Sequence, residues 1–250
     1  MLVLKADDTL ALAATEAVQT GDLEALGRLL AEHPGLATAF IGDHPGGMSR
    51  TLLHAATDWP GHYPNNVATV RALLDAGADV DARFTGPHTE TPLHWTASSN
   101  DVEVMDVLLD AGADIEARGA VIAGGTPLAD ATAFGQWDAA RRLVERGARS
   151  NLFESATLGL LDRVEAELAA DPPPEPDYIN GAFWGACHGG QLATAQRLLA
   201  AGADISWVAP WDGLTPLDAA RRSASDGVAT WQDVADWLVA QGARPAGDGS

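Results

Sequence analysis

Three histidines, His62, His88 and His188, stand where no local pattern of the chain requires them, and the carboxylates Glu90, Asp130 and Glu154 offer acid partners. A histidine that titrates near neutrality, set beside one carboxylate, suffices for the proton transfers of hydrolysis, isomerisation or cyclisation. The pairings to consider are Asp130 or Glu154 with His188, with His62, His88 and Glu90 at the rim. The stretch GPHTETPLHW (86–95) concentrates the question, since His88 and Glu90 stand directly before a helix start. Other chemistries lack their residues. There is no HExxH motif and no Cys or Cys/His spacing of a zinc site, so no metal and no cofactor is expected. AVIAGGTPLAD (120–130) is rich in glycine before a helix, but has neither the lysine nor the preceding strand of a phosphate loop. No GxSxG elbow occurs. Cys187 precedes His188 by one residue, and helix neighbours diverge by about 100°, so a buried cysteine is expected rather than a nucleophile–base pair.

The elements that would position these groups repeat along the chain. TLLHAATD from Thr51, TPLHWTAS from Thr91, TPLADATAFG from Thr126 and TPLDAARR from Thr215 align as helix starts. Threonine can cap a helix, and proline suits the first helical position, where no amide hydrogen is required. A second set follows: VRALLDAGADVDAR (70–83), MDVLLDAGADIEAR (105–118), ARRLVERGAR (140–149), AQRLLAAGADIS (195–206) and ADWLVAQGAR (235–244). Glycine after the last helical turn supplies the left-handed residue that ends it. Glycines 77, 112 and 147 recur at a spacing of 35. In phase, these elements resemble the ankyrin repeat. The fold expected is all-α, a solenoid of about seven helix-turn-helix repeats with finger loops, in which stacked helix pairs share one core.

A single domain over 1–250 is expected, with a weak N-terminal repeat at 9–34 and repeats near 51–76, 91–111, 126–146, 151–170, 181–201 and 215–241. Residues 244–250 read as a flexible tail. After NLFESATLGLLDRVEAELAADPPPEPD (151–177), the prolines replace the usual repeat ending and exclude a regular helix there.

The resemblance implies a concave face lined by the first helices and the fingers. On that face the position after the TPLH histidine holds Ala55, Trp95, Asp130, Glu154, Gly185 and Ala219 in succession. Three positions further on stand Asp58, Ser98, Ala133, Thr157, His188 and Arg222. Helices packed about 8–10 Å apart would let Asp130 and Glu154 flank a small ligand. The alternative is two solvated acids in a chain that has 35 of them. DWPGHYPNN (58–66) is an enlarged loop offering Asp58, Trp59, His62 and Tyr63, and the finger RFTGPHTE (83–90) offers Phe84, His88 and Glu90. Long aromatic-bearing loops on a rigid scaffold commonly carry function, or else pack beneath themselves. Trp95, Trp207 and Trp211 fall at groove or finger positions and join the candidates, whereas Trp137 and Trp237 read as core. His54 and His94 occupy the TPLH position, which the resemblance makes structural. His33 and His44 carry no signal.

A net charge of −20 disfavours nucleic acid and anionic membrane surfaces and favours solubility or a cationic or neutral partner. One cysteine permits no intrachain disulfide, and the start of the chain lacks a basic, apolar leader, so a cytoplasmic protein is expected. Two functions fit. Ankyrin stacks imply a binding module that recognises a partner protein in its concave groove and enlarged loops. The other reading is a small-molecule binder or cofactor-free enzyme (hydrolase, isomerase or cyclase) using Asp130, Glu154, His188 and His88 in that groove.

Overall fold

A computed structural model describes residues 2–42, 47–224 and 229–247; His44 and the last three residues of the expected tail lie outside the described residues. The chain divides into two compact units, 1–148 and 149–250.

The first unit begins with β1 (Val3–Leu4), α1 (Thr9–Thr20) and α2 (Leu23–Glu32), then β2 (Phe40–Gly42) and β3 (Ser49–Arg50). Three helix pairs follow: α3 (Leu52–Thr57) with α4 (Asn66–Asp75), α5 (Pro92–Ser99) with α6 (Val102–Asp110), and α7 (Pro127–Ala133) with α8 (Trp137–Glu145). The short strands, which the repeat pattern did not anticipate, form a small sheet in which β2 runs parallel to β1 and antiparallel to β3. α1, α3, α5 and α7 pack in one layer, and α2, α4, α6 and α8 in a second.

Local chemistry sets these boundaries. Thr91 caps α5, Pro92 sits at its first position, and His94 completes a capping box; Thr51 and His54 do the same for α3. At the far end of α6, Gly112 takes φ +92° while its amide and that of Ala113 return to the carbonyls of Leu109 and Leu108. An L side chain is strained in that conformation, which is why glycine recurs there. Leu53, Leu73, Leu93, Leu108, Leu128 and Leu143 are fully buried between the layers.

The second unit contains α9 (Leu152–Thr157), α10 (Leu161–Leu168), α11 (Pro176–His188), α12 (Leu192–Ala200), α13 (Pro216–Ala224) and α14 (Ala229–Ala240). α11 packs between α9 and α13, and α12 between α10 and α14, around Phe183, Leu198, Val234 and Leu238. Pro172, Pro173 and Pro174 lie outside any helix, as the proline run requires. α11 begins at Pro176, which occupies a first-turn position, five residues before the repeat expected near 181. Proline excludes a helix interior but suits a helix start. No described helix is long and apolar enough to cross a membrane.

Candidate functional site

In the first unit the residues of GPHTETPLHW do converge, but inward. Glu90 is 5% exposed. Its Oε2 accepts the Trp95 indole N–H at 2.8 Å and lies 3.0 Å from His88 Nδ1, while Oε1 accepts the Val121 amide at 2.8 Å. Its backbone carbonyl accepts the Phe84 amide at 2.8 Å and faces His54 Nε2 at 3.1 Å. Because His54 Nδ1 accepts from the Thr51 amide, Nε2 carries the proton and donates to that carbonyl. Phe84, offered as a binding residue of the finger or one packed beneath it, is buried, with the His88 ring stacked on it at 4.5 Å. Trp95 lies 5.7 Å from Phe84 and 4.9 Å from His54.

Asp130 belongs to the same cluster and is fully buried. Burial, then the charge and hydrogen bonding of the neighbouring Glu90, push its carboxyl up to about 8, against a weaker opposing bond from Ile122. Asp130 is therefore held protonated at neutral pH, a buried acid beside a buried carboxylate. The alternative reading of Asp130 as a solvated acid is corrected: enclosure, not solvent, surrounds it. Enclosure also lowers both His54 and His94 to about 4. His94 repeats the arrangement of His54, accepting from the Thr91 amide at 3.1 Å and reaching the Gly125 carbonyl at 3.4 Å. Each TPLH histidine thus ties a helix start to the following finger.

The loop 58–65 is held separately. Asp101 accepts the Val104 amide at 3.3 Å, the His62 amide at 3.1 Å and the Asn66 side-chain amide at 3.1 Å. His62 Nε2 meets the Ser99 carbonyl at 3.1 Å. Asp58 pairs with Arg50. Burial, then the nearby Asp58 charge, raise the Tyr63 phenol above its ordinary value. Trp59 is 78% exposed.

In the second unit, Glu154 and His188 are both buried. α9 starts one residue later than α7 relative to the glycine that ends each first helix, so Glu154 falls at the third helical position. It closes a capping box, accepting the Asn151 amide at 2.8 Å, rather than facing a groove. His188 lies against Trp184 at 5.3 Å, with Nδ1 3.3 Å from the Ser223 hydroxyl, and its carbonyl accepts the Trp231 indole N–H at 2.8 Å. Burial drives the Cys187 thiol far above its usual range, which leaves it a core residue.

An opening in this unit lies elsewhere. A cavity of about 690 Å³ is lined by Phe153, Glu175, Asp177, Tyr178, Trp207 and Trp211, among others. Trp211 is 54% exposed and sits edge-on to Trp184 (5.2 Å), Trp207 (5.4 Å) and Phe153 (6.2 Å). The early start of α11 puts Glu175, Asp177 and Tyr178 on the wall. Gly185 admits the Phe153 ring: a Cβ there would lie 2.5 Å from Thr157 Oγ1 and 3.1 Å from the ring. Trp207 and Trp211 line this cavity, whereas Asp130, Glu154, His188 and His88 do not line it. Phe153, Tyr178, Glu175 and Asp177 were missed. The signal for the last three was Glu-Pro-Asp at 175–177, a helix start with a first-turn proline.

Residues 65–154 match the family model for ankyrin repeats (3 copies), so this stretch of the chain is built of ankyrin repeats. Comparison with the curated proteins gave no match.

Proposed function

We propose that this protein is a binding module that recognises a partner protein through the aromatic groove of its second unit. The cavity walled by Phe153, Tyr178, Trp207 and Trp211 carries the reading. Half-exposed indoles on a rigid support offer large contact area at little entropic cost, which is the usual make-up of an interface anchor. Ankyrin repeats are generally protein-interaction modules, which supports a binding role. The size of the cavity also suits a small ligand. The acid–base groups nominated for catalysis are engaged elsewhere, however: Glu154 in a cap, and Asp130, Glu90 and His88 in a buried anchor for a finger. That distribution favours recognition over chemistry. The test is to select peptides from a random display library on the folded protein and follow the eight indole signals by NMR during titration. Saturable shifts at Trp207 and Trp211 are expected. Shifts at Trp59 or Trp95, with Trp207 and Trp211 unmoved, would overturn the proposal.

A further inference from the structure

Resting on that reading of the groove, we infer that its occupant is an arginine side chain presented by a partner segment. The aromatic wall alone would accept any apolar group. What narrows it is the pair of carboxylates in the same lining, Glu175 and Asp177. Among the described residues neither takes part in an ion pair, and both are exposed. They stand at the start of α11, whose dipole opposes a cation, but a helix end counts for only about half a charge against their two. The groove therefore presents net negative charge beside aromatic faces, in a chain of net charge −20.

The second observation is internal. Within the same aromatic cluster, the Arg222 guanidinium lies 5.7 Å from the centre of the Trp184 ring and donates to Asp212 at 3.2 Å. Trp184 in turn contacts Trp211 and Phe153, which line the cavity. The protein thus already seats a guanidinium between an indole face and a carboxylate, and the cavity offers these partners again with the cation left to be supplied. A planar guanidinium can stack on an indole and direct its N–H groups to carboxylates at once, whereas a lysine ammonium offers a single strongly hydrated point charge.

The test uses blocked glycine–serine heptapeptides with one central residue, arginine, lysine or norleucine, titrated against the full chain and followed at the Trp207 and Trp211 indole signals. The arginine peptide should bind about 2- to 30-fold more tightly than the norleucine peptide, with lysine between them. Glu175→Gln with Asp177→Asn should reduce the arginine peptide's affinity about 2- to 5-fold. The charge-matched control, Asp138→Asn with Glu145→Gln in the first unit, should leave it unchanged, with circular dichroism confirming folding of all variants. Equal or tighter binding of norleucine, or equal effects of the two double variants, would overturn the inference. Binding of free N-acetylarginine amide as tight as the peptide's would overturn the assignment to a partner segment. If display-selected peptides still occupy the groove in any of these cases, the binding reading survives; if they too miss Trp207 and Trp211, both fail.

Discussion

His94 and His88 stand six residues apart and have opposite relations to the stack. His94 is fully buried and bridges the Thr91 amide to the Gly125 carbonyl, so His94→Ala opens a cavity and leaves the buried Thr91 amide without its acceptor, while the Gly125 carbonyl keeps the amides of Gly119 and Ala120. A loss of about 2–4 kcal/mol is expected. His88 is partly exposed and rests on Phe84, so His88→Ala should cost about 1 kcal/mol or less. Equal, large falls in Tm would contradict this division. The buried acid adds a pH signature. His54 and His94 have folded values near 4, below the ordinary 6.5, so their contribution is complete above pH 6.5 and is lost as pH falls towards 4. Asp130 has a folded value near 8, above the ordinary 3.8, so its contribution is complete at low pH and is lost as pH rises through 8. Between pH 6.5 and 8 the acid acts without opposition from these histidines, and stability should decline. Asp130→Asn removes the ionisable group at nearly equal volume and should flatten that decline in denaturant titrations. A decline that persists in the variant would show that Asp130 is not its source.

The helices were legible in the sequence where one residue type does one job. Thr91 and Pro92 announce a start and Gly112 a stop, because capping and left-handed backbone are local matters. The N-terminal strands were not legible, since two- and three-residue segments such as Val3–Leu4 leave no periodicity to read. The site was legible in part. The finger position of Trp207 and Trp211 could be read from the phase of the repeats, but the inward turn of Phe84 and Glu90 depends on partners 5 to 36 residues away, which spacing does not reveal. The Phe153 wall depends on Gly185, whose missing side chain lets α9 and α11 approach. Gly185→Ala should cost about 1–3 kcal/mol by overpacking and should perturb the indole signals of Trp184 and Trp211, whose rings adjoin Phe153. A neutral substitution with unchanged spectra would mean that the two helices tolerate more distance than the structure gives them.

At the scale of the molecule, two surfaces present a prominent tryptophan. Trp59 is the more exposed, at 78%, on an enlarged loop of the first unit; Trp211, at 54%, stands in a cavity among other rings. Exposure alone does not make an anchor. Interface energy concentrates where a large side chain sits in a pocket from which water can be excluded, and only Trp211 has rings on several sides to complete such a pocket. Both side chains are accessible enough to truncate without opening the core, so their effects on binding can be compared at matched folded fraction. The deciding measurement is the affinity of a display-selected peptide for Trp211→Ala and Trp59→Ala beside the unaltered protein. Trp211→Ala should weaken binding by about 2 kcal/mol or more, roughly 30-fold, and Trp59→Ala by less than about twofold. The reverse order, or indifference to both, would remove the groove of the second unit as the recognition site.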